Sequence, residues 1–156
     1  MRELLTVTLF LCVVIFSTSC FGSYTVEGKS MLPTLNDEDI VLTTADLTEL
    51  HRGDIVLFYD PIKPDYIDIC RIVGLPNETV EVHEGAVYID GEYLVEPYVL
   101  PENNEKNRHS GKFVLAENTF FLLGDNRDNS KDSRVYGAVP KERIFRKYTR
   151  TFWTHG

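Results

Sequence analysis

Cysteine, histidine and basic charge are all scarce in this chain of 156 residues, and each shortage removes a class of protein. There are three cysteines. Cys12 and Cys20 fall in or beside an apolar N-terminal run, so Cys70 stands alone in the remainder and an internal disulfide framework is excluded. His51, His83, His109 and His155 are scattered, no His/Cys group has zinc-ligand spacing, and no metal is expected. Sixteen Lys and Arg against 24 Asp and Glu give a formal net charge of -8. Without a Lys/Arg stripe there is nothing to neutralise phosphates, and nucleic acid is not an expected partner. Internal repeats, long helical periodicity and a domain-separating linker are missing as well. One domain is therefore expected, in keeping with the usual domain size of roughly 100 to 150 residues.

What is present begins with residues 4–21, which carry no charge and are mostly Leu, Val, Ile, Phe and Cys, diluted by Thr6, Thr8, Ser17, Thr18 and Ser19. As a helix rising about 1.5 Å per residue, this run spans most of a hydrocarbon core about 30 Å thick. It predicts a membrane anchor over residues 1–22, followed by an extracytoplasmic domain over residues 23–156. Two alternatives compete, a cleaved secretory peptide and a lipoprotein signal ending at Cys20. Ser17, three residues before Cys20, counts against the latter. Arg2 and the N-terminal amine, partly offset by Glu3, orient the rest of the chain outward, with membrane lipid as a neighbour.

Beyond the anchor, short runs rich in Val, Ile, Tyr and Phe alternate with Gly, Pro, Asn and Asp. The clearest cover residues 40–43, 54–59, 67–73, 79–83, 86–89, 112–115 and 119–123, a pattern that predicts a mainly β fold of antiparallel sheets. Asp90-Gly91 reads as a two-residue hairpin turn, because both residues tolerate positive φ, and Glu84-Gly85 reads as a similar turn. Local helical spacing is limited to residues 44–50, with a turn at 141–145. Residues 100–111 hold almost nothing that packs and predict an exposed, mobile loop.

Two polar stretches carry candidate chemistry. Ser30 lies about nine residues beyond the apolar run, between Gly28 and Met31-Leu32-Pro33. Gly28 permits close backbone approach and Pro33 stiffens the turn, while Met31 and Leu32 are expected to be exposed against lipid or an apolar substrate. Residues 124–134 pack charged and amide side chains at a density no apolar core absorbs. Blandly this is an Asx-rich surface turn. Functionally, Asp128, Asp132, Arg127 and Arg134 are able to cross-pair and stiffen a loop that offers Ser130 and Ser133 to a site.

The run Ser30-Met31-Leu32-Pro33-Thr34-Leu35, then Arg52-Gly53-Asp54-Ile55-Val56, Arg71-Ile72-Val73-Gly74-Leu75-Pro76, Gly124-Asp125-Asn126-Arg127-Asp128-Asn129-Ser130, Ser133-Arg134 and Val139-Pro140 resembles, in order, the type I signal peptidases. The likeness runs from about residue 25 to 140 and is closest to the short, single-anchor Gram-positive form. It implies a membrane-attached, extracytoplasmic serine endopeptidase that removes signal peptides from exported preproteins after an Ala-x-Ala-like motif, with no cofactor and as a monomer. By resemblance Ser30 is the nucleophile, with its own N–H in the oxyanion site. Ser130 positions the general base, Asp132 and Arg134 form a structural ion pair near the site, and Gly124 leaves room for the base. Met31 and Ile69 bind substrate, which pairs with strand edges near Ser30 and Ile69.

The chain departs from that pattern at one position. The family's general base is a lysine immediately before the residue matching Arg71, and here that position is Cys70. A buried thiol titrates above about 8.5 and supplies little thiolate. Lys29, Lys131, His83 and His109 are the remaining candidates for a base, each weak on geometric grounds. The alternative reading is an impaired or inactive relative that binds preproteins or regulates their processing.

Overall fold

The structure is a computed structural model that describes residues 20–106 and 109–154. Eleven strands form two antiparallel sheets among these residues: β1 (Phe21–Thr25), β2 (Ile40–Thr44), β3 (Ile55–Tyr59), β4 (Ile67–Gly74), β5 (Thr79–His83), β6 (Ala86–Ile89), β7 (Glu92–Tyr93), β8 (Gly111–Val114), β9 (Thr119–Leu123), β10 (Val139–Pro140) and β11 (Ile144–Trp153). The larger sheet runs β1-β2-β11-β3-β4-β9-β10 and the smaller β7-β6-β5-β8. Among the described residues the one α-helix, α1 (Ser133–Tyr136), is a single turn. The mainly β, antiparallel expectation holds.

Alternation along the central strands builds the core on both sheet faces. Val56 and Phe58 of β3, Cys70 and Ile72 of β4, and Leu122 of β9 turn to one face, where Ile144 and Val139 join them. Val41 and Ile55 turn to the other and meet Val26, Met31 and Leu35. Val73, Phe121 and Leu123 pack against Val80, Val82, Val87 and Leu115, which seats the smaller sheet on the larger one. Each such side chain contributes about 1.5–3 kcal/mol when fully buried.

One expectation falls mostly outside the described residues, and others need correction. The anchor expected over residues 1–22 lies almost wholly outside the described residues. Phe21 and Gly22, its last two positions, belong instead to β1, which pairs with β2. No helix among the described residues is long and apolar enough to cross a membrane. Residues 44–50 are not helical: the Asp46 carboxylate accepts from the N–H and hydroxyl of Thr48, and Thr44 Oγ accepts from the Asp46 N–H. These local bonds compete with a helix, and Leu47 and Leu50 reach the core from a loop. The stretch expected to be loose after residue 100 contains a short helical turn, Pro101–Asn103. Its Glu105 and Lys106 N–H groups donate to the Asp128 carboxylate, at 2.9 and 2.9 Å.

Candidate active site

Ser30 follows the turn at Gly28, whose φ of +87° suits glycine and whose N–H donates to Asp37 Oδ1 at 2.8 Å. Beyond it the chain coils back, with Leu35 N–H bonded to Met31 O at 3.0 Å and a cis peptide between Leu32 and Pro33. This coil turns Met31 inward. Met31, expected at the surface against lipid or substrate, is 1% exposed and belongs to the core beneath the site.

Buried ionic contacts lock the distant motifs together. Asp125, fully buried, receives Arg71 Nε on Oδ1 at 2.8 Å and Arg71 Nη2 on Oδ2 at 2.5 Å, and Thr34 Oγ donates to the same Oδ2. Arg71 also donates to Gly53 O at 2.8 Å and lies 4.0 Å over the Tyr98 ring. A single carboxylate thus joins the Ser30 segment, the strand of Cys70 and the loop after β9. Sequence reasoning gave Asp125 no role; the density of charge from 124 to 134 was its only signal. Asn126 N–H completes the join by donating to Ser30 O at 2.9 Å.

Asp132 and Arg134 pair as the resemblance implied, in a bidentate contact of 2.8 and 2.8 Å. Asp132 also accepts the Gly124 N–H at 3.2 Å, and Arg134 donates to Arg127 O at 2.7 Å. Arg127 pairs with Glu96 at 2.5 Å and Asp128 holds backbone N–H groups, so the four charges do not form one cross-paired set. At Gly124 a Cβ would stand 2.6 Å from Ser130 Cβ and 2.7 Å from Ser30 O. No side chain fits there, and that close approach brings Ser130 beside the Ser30 backbone.

Cys70 is 2% exposed, in the core beside Phe58 and Val56. Burial, then the charges of Asp132, Asp68 and Asp125, push its thiol well above the ordinary cysteine range. It carries no thiolate at neutral pH. Around it, Ser130 Oγ and Tyr136 Oη are buried without a protein hydrogen-bond partner.

Two clefts meet at Ser30. One, of about 330 Å³, has apolar walls that include Val26, Leu57 and Ile69 and acidic members Glu27, Asp65 and Asp68. The other, of about 200 Å³, is lined by Ser30, Cys70 and Ser130 together with Asp60, Asp68 and Lys131. The structure thus brings Ser30, Ile69, Cys70 and Ser130 together, while Met31 lines neither cleft. Lys29, His83 and His109 line neither, whereas Lys131 does enter the second, its Nζ 3.2 Å from Asp60 Oδ2. β9 pairs with β4 only from Arg71 onward. On that side of β4, residues 67–70 border the clefts and not another strand.

This geometry has relatives. Over residues 1–153 the chain matches the family described as signal peptidase, peptidase S26. The chain belongs to that family. It is 34% identical over 147 residues to "Signal peptidase I" of Bacillus caldolyticus, covering 85% of this chain and 80% of that protein. Likeness to "Signal peptidase IB" of Staphylococcus aureus is 30% over 153 residues, covering 83% and 76%. A crystal structure of a signal peptidase I from Enterococcus faecalis matches with a TM-score of 0.53 and 30% identity, over 62% of this chain and 93% of that one. Membership of the S26 family makes this chain one of the serine peptidases.

Proposed function

We propose that this protein is a membrane-attached serine endopeptidase that removes signal peptides from exported preproteins, cutting after an Ala-x-Ala-like motif. The observation that carries the reading is the position of Ser30 at the meeting point of two clefts, in a frame that Asp125 ties to β4 and to the loop after β9. An extended preprotein segment enters between residues 24–27 and the unpaired side of residues 67–70. Its backbone adds to those edges, and its small side chains fit against Ile69. Ser30 Oγ attacks the scissile carbonyl, and the Ser30 N–H stabilises the oxyanion. Ser130, Gly124 and the Asp132–Arg134 pair hold the base side of the site. The apolar run before residue 21 anchors the chain, and residues 23–156 work outside the membrane as a monomer.

The second reading is a non-catalytic preprotein-binding relative, favoured by the buried thiol at position 70 and the unpartnered Ser130 Oγ. One experiment separates the two: cleavage of an Ala-x-Ala preprotein by the full-length protein in detergent, beside Ser30→Ala and Cys70→Lys. The peptidase reading expects cleavage by the unsubstituted chain and none by Ser30→Ala. Cleavage by Cys70→Lys alone establishes the binding relative.

A further inference from the structure

Resting on the peptidase reading, the remaining chemical question is where the Ser30 proton goes. Cys70 does not receive it, because its thiol is buried and held neutral. Lys131 does not either: its Nζ donates to Asp60 at 3.2 Å, and an ammonium in that pair has no lone pair to offer.

Strand alternation puts Asp68 on the same side of β4 as Cys70, opposite Phe58 of β3. At Phe58 the apolar core ends, and two residues on Asp60 begins a small charged cluster. Among the described residues only Ser30, Tyr66, Asp68 and Ile69 line both clefts. Of these four, Asp68 alone carries a group that accepts a proton near neutral pH. We propose that Asp68 is the general base of Ser30, with Asp60 and Lys131 as the pair that positions it.

Asp60 is 4% exposed and accepts the N–H groups of Ile62 at 2.5 Å and Lys63 at 3.0 Å. Against the cost of its burial, the Lys63 and Ile62 N–H groups and Lys131 keep its carboxyl below the ordinary range. The neighbouring Asp68 carries the consequence: its own burial first, then the Asp60 charge, lift it to about 6, with Lys131 opposing. A carboxyl so tuned is ionised at neutral pH and yet a stronger base than an exposed one. The other groups facing this cluster are Glu27, Asp65 and Tyr24 across the first cleft, Lys63 and Tyr66 from the 60–66 loop, Arg143 on Asp60 O at 3.4 Å, and Cys70 and Tyr136, both held neutral by burial.

The step balances without a further reactant. Ser30 Oγ–H breaks as Oγ bonds to the scissile carbon, the carbonyl π pair becomes the oxyanion, and the proton passes to Asp68. Collapse re-forms C=O and breaks C–N, the Asp68 proton leaving on the new amine. Water then repeats the cycle on the acyl-enzyme and returns the proton to Ser30.

The test measures kcat and KM against pH for the full-length protein in detergent on an Ala-x-Ala preprotein, with Ser30→Ala, Asp68→Asn, Asp68→Glu and Asp60→Asn. For the unsubstituted chain kcat/KM rises through a limb near pH 6 that tracks Asp68. Asp68→Asn lowers kcat about 10²- to 10⁴-fold with KM little changed. Asp68→Glu restores part of the rate, and Asp60→Asn, by removing a negative neighbour, moves the limb to lower pH. Asp68→Asn cutting at the full rate while Ser30→Ala is dead overturns the base assignment and leaves the peptidase reading intact. A rate that rises only in alkaline solution does the same. An unsubstituted chain that cuts at no pH overturns both. Should Asp68→Asn fail to fold, the limb of the unsubstituted chain and its displacement in Asp60→Asn decide the matter.

Discussion

Asp125 and Asp132 are fully buried carboxylates matched by guanidinium, hydroxyl and N–H donors, whereas Ser130 and Tyr136, in the same loop and helix, bury hydroxyls that meet no protein partner. The first region is a closed electrostatic frame. The second surrounds Cys70 and lacks the donor and acceptor pairing that native interiors usually complete. The contrast shows that the frame does not depend on the side chain at position 70. Asp125 joins its three segments through Arg71 and Thr34, and Asp132 joins Gly124 to Arg134, none of these contacts passing through the thiol. The side chain at position 70 therefore bears on the chemistry at the centre of the site and not on the frame around it.

The contrast is broken most severely from the frame side. Asp132→Ala leaves Arg134 buried without its carboxylate and is expected to cost about 3–5 kcal/mol, read by urea unfolding, with loss of cleavage. Gly124→Ala drives a methyl toward Ser130 Cβ and Ser30 O, and an overpacked contact of this kind costs about 1–3 kcal/mol. Its sharper readout is kcat, which falls because Ser130 and the Ser30 backbone are pushed apart.

A smaller effect sharpens the comparison through pH. Asp68 titrates higher in the folded chain than in the unfolded one, at about 6. Its contribution to stability is therefore complete below the ordinary carboxylate range and is lost as pH rises through 6. Asp68→Asn removes that dependence, so the variant gains stability relative to the unsubstituted chain at neutral pH and not in acid. Urea midpoints on either side of the transition measure it. The smallest expected change is Tyr136→Phe, which deletes a buried hydroxyl without a partner and is close to neutral or slightly stabilising in thermal unfolding. A large loss there would mean that the region around Cys70 is as tightly paired as the frame.

Much of the fold was legible because strand alternation and turn chemistry are local. Asp90-Gly91 has φ values of 51° and 87°, Glu84-Gly85 has 48° and 79°, and both join paired strands as their sequences predict. β11 was not legible beyond a turn at 141–145. Its sequence Ile-Phe-Arg-Lys-Tyr-Thr-Arg-Thr-Phe-Trp breaks two-residue alternation, because register shifts between Ile144 and Arg146, Tyr148 and Arg150, and Thr151 and Trp153 reset the side-chain direction. In the site, short motifs located Ser30, Ile69, Cys70 and Ser130. The partners of Asp125 were hidden, since Arg71 is 54 residues away and Thr34 is 91. Met31 was misjudged for a related reason: the coil that turns it inward is set by contacts with a sheet formed later in the chain.

The place of β11 has a kinetic consequence. It lies between β2 and β3, and its Thr149 hydroxyl reaches Leu42 O across 107 residues of chain. Until those ten residues arrive, no strand hydrogen-bonds β2 to β3, and each half-sheet presents an open edge. The larger sheet is thus complete only with the final strand of the described order. Its closure is a step of high contact order. The motifs that meet at Ser30 are thus made well before the sheet that carries them can close.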